Sequence, residues 1–183
     1  MQVLDQKDYF EVDAQIQTQV EELYQSAFPS QERMPFEMLL QIANRPSVSL
    51  NIYFKDTEFI GFVFTMFYED ILSIQYLAIV NNQRNSGFGT QIIGSLKKKN
   101  VGLRLVVEME KVDPKSADYQ NQLKRLAFYE RNGFQSNQIF IYEYGVDYEL
   151  LTYGSNPVTT DEYVKLAADF YQRDVSGFMK EIK

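Results

Sequence analysis

Cysteine and histidine are both absent from the 183 residues. Without cysteine there is no disulfide framework and no thiol nucleophile. Without histidine there is no Ser-His-Asp triad, no histidine-ligated metal and no imidazole base. Any proton-transfer group must therefore be Asp, Glu, Tyr, Lys, a chain terminus or water. No apolar run is long enough to span a bilayer. The opening "MQVLDQKDYFEVD" has no basic segment followed by an apolar one, so no signal peptide is expected and the default location is cytoplasmic. Internal repeats and low-complexity segments are missing too. A net charge of −7 argues against a protein that tracks nucleic-acid phosphates, and it is compatible with a cationic or amine-bearing substrate.

What is present suits one globular domain with a sizeable core: 45% hydrophobic residues against 23% charged. Ile16, Val20, Leu23, Tyr24 and Ala27 recur at helical spacing, so 13–27 reads as a helix stopped by Pro29. "PFEMLLQIAN" reads as a second helix between Pro35 and Pro46. From Val48 the period shortens. "VSLNIYF", "EFIGFVFTMFY" and "ILSIQYLAIV" are rich in β-branched and aromatic residues and are separated by "KDT" and "ED", which predicts an antiparallel meander. Phe88, Ile92, Ile93 and Leu96 mark one face of a helix closed by Lys97 to Lys99. "GLRLVVEME" is a strand. "SADYQNQLKRLAFYERNG" is a helix with Ser116 as candidate N-cap, Gly133 as C′ residue, and Tyr119, Leu123, Leu126 and Ala127 as its core face. "FQSNQIFIYEYG" and "VDYELLTYG" form a hairpin. After the linker "SNPV", Thr159 and Glu162 suit the capping box of a last helix running to about the C-terminus. The expected class is α/β with a mixed, largely antiparallel sheet, since the antiparallel start disfavours a doubly wound parallel one.

The segment "YLAIVNNQRNSGFGTQIIGSLKKK" places Gly87 and Gly89 where a strand hands over to a helix. A helix N-terminus offers unpaired N–H groups and the positive end of its dipole, and glycines let backbone approach a bulky anion. A P-loop requires lysine directly after the second glycine, and Thr90 stands there. A Rossmann fingerprint would place Glu108 near the ribose, but Ile92 occupies the third small position and "NNQRNS" delays the first glycine.

Arg84-x-x-Gly87-x-Gly89, following an apolar strand and opening an amphipathic helix, resembles the pyrophosphate loop of the GNAT superfamily of acyl-CoA-dependent N-acyltransferases. The predicted order of elements is similar to that superfamily's. So is "AFYERNGF", which resembles its late helix, and "VVEME", which resembles the strand before it. "FPSQERMPF" looks like an acceptor-side segment of some bacterial members. The resemblance covers roughly residues 14–153.

The resemblance implies transfer of an acetyl group from acetyl-CoA to a primary amine of a small molecule or peptide, by direct attack in a ternary complex and with no metal. It implies that the backbone of Leu77, Ala78 and Ile79 pairs with the pantetheine arm. The pyrophosphate would meet Arg84, Asn85, Ser86, Gly87, Phe88, Gly89 and Thr90. Tyr129 would protonate or hydrogen-bond the departing thiolate. The glutamate that many histone-type relatives use as base falls at Ser73, so it is absent; the ribosomal-protein N-terminal acetyltransferases suggest Glu108 instead. Glu110, two residues on, would share its strand face and raise its pKa. Residues 1–154 are expected to form the acetyltransferase domain. Residues 155–183 are expected to form a helical extension packed on that domain or on a second subunit of a homodimer. The rival expectation is a catalytically silent acyl-CoA-binding or interaction module of the same fold.

Overall fold

A computed structural model describes residues 4–182. It contains eight strands and five α-helices among the described residues, in two compact units. The first unit comprises the described residues up to Phe67 together with Ile74–Val101, and the second comprises Tyr68–Ser73 and the described residues from Gly102 onward.

The first unit opens with β1 (Asp5–Asp8) and a short 3-10 turn, neither of which the sequence pattern predicts. Helix α1 (Ala14–Ala27) follows, with the Asp13 carboxylate accepting the Ile16 N–H as its N-cap. Helix α2 (Phe36–Ala43) starts on Pro35. Then come β2 (Val48–Lys55), β3 (Glu58–Tyr68), β4 (Ile71–Ile79) and α3 (Phe88–Lys99). The strands lie in the order β1-β2-β3-β4, and β1 pairs antiparallel with β2 and β2 antiparallel with β3. Asp56 takes up φ 55° in the turn from β2 to β3, and Glu69 takes up φ 53° in the turn from β3 to β4. Tyr24, Leu39, Ile52, Phe62, Phe64 and Ile92 are fully buried in this unit.

The second unit contains β5 (Arg104–Glu110), α4 (Tyr119–Arg131), β6 (Gln135–Glu143), β7 (Val146–Tyr153), α5 (Thr160–Tyr171) and β8 (Met179–Ile182). Their strand order is β5-β7-β6-β8, every pair antiparallel. Tyr144 and Gly145, at φ 46° and 91°, make the two-residue turn of the β6–β7 hairpin. The capping box of α5 is present: the Thr159 hydroxyl accepts the Glu162 N–H and the Glu162 carboxylate accepts the Thr159 N–H. Tyr163, Leu166, Ala167 and Phe170 of α5 pack with Val106, Ile141 and Leu150 into one apolar cluster of this unit.

Three expectations need correction here. The N-cap position of α4 is Asp118, not Ser116; the Ser116 hydroxyl instead accepts the Asp118 N–H and holds a turn ahead of the helix. The fully buried residue of α4 is Gln122, while Tyr119, Leu123, Leu126 and Ala127 are only half-buried. The last helix stops at Tyr171, because Gln172 turns left-handed at φ 52°, and the chain then returns as β8 against β6.

Candidate functional site

In the first unit, β4 leads through a 3-10 turn at Asn81–Gln83 to an exposed loop and then to α3. Asn85 and Gly87 adopt φ 63° and 83°, which bends the chain sharply into the helix. Helices α1 and α5 open on side-chain caps, whereas α2, α3 and α4 do not; α3 opens on Gly87 with no acid in its first turn. Its dipole is therefore left uncompensated at the N-terminal end, while Lys97 to Lys99 complement the other end. Arg84 does not reach forward to the helix in this conformation: its Nε donates to the Ile79 carbonyl at 3.1 Å.

Leu77, Ala78 and Ile79 close β4, with Ala78 buried and its neighbours half-buried. The Ala78 carbonyl oxygen lies only 2.1 Å from where a Cβ on Gly61 would stand, so β3 approaches β4 closely through bare backbone. The Val80 N–H donates to the Ile60 carbonyl at 3.0 Å, just beyond this contact. An open groove of about 730 Å³ in the same unit is lined by residues including Asp13, Glu22, Glu58, Asn81 and Asn82. None of the ten residues expected to hold acetyl-CoA lines it.

In the second unit, Tyr129 is half-buried on α4, its ring edge-on to Phe128 at 5.1 Å and to Phe134 at 5.5 Å. Its hydroxyl makes no hydrogen bond among the described residues. Desolvation pushes its pKa up to about 12, with the Arg125 charge pulling weakly the other way.

Glu108 and Glu110 do not work as a pair. Glu110 is engaged by α4: Gln122 Nε2 donates to its Oε1 at 2.7 Å, and Arg125 pairs with its Oε2 at 2.6 Å. Glu108 instead lies beside Glu143 of β6 and Tyr163 of α5, close enough to shift the pKa of each. Glu143 is 5% exposed, and burial raises its pKa above the usual carboxylate range. The Tyr171 hydroxyl, which donates to Glu143 Oε1 at 2.6 Å, and Glu108 both oppose that rise. Tyr163 is raised well above the ordinary phenol value, first by burial and then by the two carboxylates. Sequence reading missed Glu143, which lies 35 residues from Glu108 and carries no local signal of the pairing. Asp70, an alternative acid at the β3–β4 turn, is tied to Arg104 at 2.7 Å and held below the usual carboxylate range by it.

No family model matches the chain. YjbC of Bacillus subtilis (strain 168), whose name gives it as a candidate acetyltransferase, is 33% identical over 88 residues, 48% of this chain. The match spans 43% of that relative, under half its length. Among solved structures, a candidate acetyltransferase assigned to the GNAT family from Bacteroides thetaiotaomicron superposes with a TM-score of 0.71 at 20% identity. It covers 96% of this chain and 97% of its own, which leaves too few residues over to omit the 29-residue segment after Gly154. The aminoglycoside 6'-N-acetyltransferase of Enterococcus faecium superposes at 0.61 with 14% identity, over 85% of this chain and 99% of its own. An aminoglycoside 6'-N-acetyltransferase complexed with coenzyme A superposes at 0.63 with 15% identity, over 84% and 99%. With its α/β architecture and largely antiparallel strands, the chain has the fold of the GNAT-family acetyltransferases.

Proposed function

We propose that this protein is an acyl-CoA-dependent N-acetyltransferase that moves an acetyl group from acetyl-CoA to a primary amine. The observation that carries the reading is the uncapped start of α3 directly after β4, in a fold shared with acetyltransferases. The amide groups at Gly87 to Thr90 would receive the pyrophosphate, with Arg84 and Ser86 beside them. The backbone of Leu77 to Ile79 would pair with the acyl arm as an added strand does. The acetyl-CoA-complexed enzyme would use its own groups only to orient the amine and move its proton.

In the reaction the amine nitrogen bonds to the thioester carbon, the carbon–sulfur bond breaks, and its electron pair leaves on sulfur. Tyr129 suits proton donation to that sulfur, because a hydroxyl pushed up to about 12 stays protonated at neutral pH. Glu108, beside Tyr163 and Glu143, would act as the base.

The test has two stages. Acetyl-CoA and CoA should each raise the melting temperature, and Gly87→Val should abolish the rise while the protein stays folded, because a β-branched residue at φ 83° distorts the loop. No shift at millimolar acetyl-CoA would end the reading. Thiol release with a panel of amines then separates an enzyme from a silent binding module. With an acceptor in hand, Tyr129→Phe should lower kcat about 10²- to 10⁴-fold with acetyl-CoA affinity unchanged. A fully active Tyr129→Phe would remove that assignment.

A further inference from the structure

The segment that joins α1 to α2 carries a cation, Arg33, that pairs with no group among the described residues. Two tyrosine hydroxyls pin it: Tyr24 donates to the Met34 carbonyl at 3.0 Å and Tyr76 donates to the Glu32 carbonyl at 3.4 Å. The two rings meet edge-on at 5.0 Å, and Phe28 packs on Tyr76 at 4.9 Å. Arg33 lies between the two anchored carbonyls, near enough to the Tyr24 hydroxyl to act on it electrostatically. Its Nε is buried without a hydrogen-bond partner, and the side chain forms no hydrogen bond or ion pair among the described residues.

Acids are not scarce in this protein, which has 25 Asp and Glu against 18 Lys and Arg. Arg104 and Arg125 each hold two carboxylates. A guanidinium presents planar, forked N–H donors that match a carboxylate two at a time, and a buried donor without an acceptor is a cost that a native structure keeps for a reason. Placement supplies the reason. Tyr76 belongs to β4 and directly precedes Leu77, the first residue assigned to the acyl arm, so the Arg33 segment is fastened to that strand within one unit.

We propose that Arg33 recognises a carboxylate on the acceptor, so that the substrates are amino acids or peptides with a free carboxylate rather than simple amines or polyamines. This rests on the acetyltransferase reading above. The carboxylate is a handle only: it is unchanged while the amine nitrogen takes the acetyl group and the sulfur takes the electron pair and a proton.

The experiment compares matched acceptors by thiol release with the full chain: glycine against glycinamide, and glycylglycine against its C-terminal amide, with O-phosphoethanolamine and spermidine as controls. Carboxylates should lead their amides by at least about tenfold in kcat/KM. Arg33→Gln should raise KM for the carboxylates about 10- to 100-fold and leave kcat and the KM for amides within about threefold. Arg33→Lys should restore part of the loss, and acetyl-CoA should stabilise all variants equally. Independently of turnover, the ¹⁵N-edited Nε–H signal of Arg33 in the wild-type protein should move on titration with N-acetylglycine and stay still with its amide. Equal use of acid and amide, equal loss on both in Arg33→Gln, a lead for phosphate or spermidine, or an unmoved Nε–H signal at millimolar N-acetylglycine would each overturn the assignment. Absence of acetyl-CoA stabilisation is a different failure, since it ends the acetyltransferase reading and takes this inference with it.

Discussion

Adding one methyl group at Gly61 should disturb both the stability of the first unit and the strand assigned to the acyl arm. A Cβ there would stand 2.1 Å from the Ala78 carbonyl oxygen, 3.1 Å from its carbonyl carbon and 3.1 Å from the Ile79 Cα. Real Cβ atoms essentially never come within 3.0 Å of a neighbour, so β4 must retreat by close to 1 Å. The obstacle is backbone, not the far end of a flexible side chain, and no rotamer change relieves it. Overpacking of this kind costs about 1–3 kcal/mol, and a backbone obstacle belongs in the upper half, about 2–3 kcal/mol. For a chain of this size each kcal/mol lowers Tm by roughly 2–4 °C, so Gly61→Ala should melt about 4–12 °C lower. Gly94→Ala is the control. Its Cβ meets nothing within 4 Å and it lies inside α3, so it should stabilise by about 0.5–1 kcal/mol. Scanning calorimetry reads both effects. Acetyl-CoA should then stabilise Gly61→Ala less than Gly94→Ala, because the displaced residues are those assigned to pair with the acyl arm. If Gly61→Ala melts with the wild type, β4 yields freely and close backbone approach is not what that glycine serves.

Three further outcomes follow from buried or paired polar groups. Tyr53 is 1% exposed and its hydroxyl has no hydrogen-bond partner, so Tyr53→Phe should stabilise by about 1–3 kcal/mol; a loss on denaturant titration would mean the hydroxyl is satisfied after all. Arg104 joins Asp70 and Glu162 at 2.7 Å each, and Arg104→Gln should cost about 1–3 kcal/mol at pH 7, reduced from the buried-pair range because Asp70 is 55% exposed. Glu162 is lowered from 4.5 to about 2, chiefly by Arg104, so this stabilisation is complete above pH 4.5 and fades as pH falls through about 2; an acid melting curve unchanged by the substitution would contradict it. Glu143 has the opposite sign. Its raised folded pKa means the native state holds the proton longer, so its contribution falls as pH rises above 4.5 and through the folded value. Glu143→Gln should therefore gain more Tm at pH 8 than at pH 5, and an equal shift at both would show that its carboxyl is not the group titrating.

The helices and strands that positioned the site were legible because their signals are local. Pro29, Pro35 and Pro46 punctuate α1 and α2, and the Thr159–Glu162 box marks the start of α5 within four residues. The elements missed are those whose structure is imposed by a partner. β1 is "DQKD" and β8 is "MKEI", short edge strands without apolar alternation, and only pairing with β2 and β6 makes them strands. Ser116 looked like a cap because serine often is one. Asp118 takes that position without a side-chain cap of its own, and pairs with Arg125 at 3.0 Å. The same distinction separates the candidate residues. Gly87 was readable from its place in the chain. The company of Glu108 was not, because alternation along one strand nominates Glu110, whereas β6 and α5 supply Glu143 and Tyr163 from elsewhere in the sequence.

The environments of Tyr129 and Glu108 also bear on how two proton-transfer roles are shared in a chain without histidine. Tyr129, the proposed donor, would hold its proton at neutral pH even at the ordinary phenol value of 10, and burial pushes its hydroxyl up to about 12. Glu108, the proposed base, lies beside Glu143, whose carboxyl burial raises above the ordinary carboxylate range. The Tyr171 hydroxyl donates to Glu143 at 2.6 Å, and Tyr163 lies beside both carboxylates, which raise its pKa. Burial moves the titration of Tyr129 above the ordinary phenol range, so an alkaline limb near neutral pH would report the acceptor amine or another group of the protein.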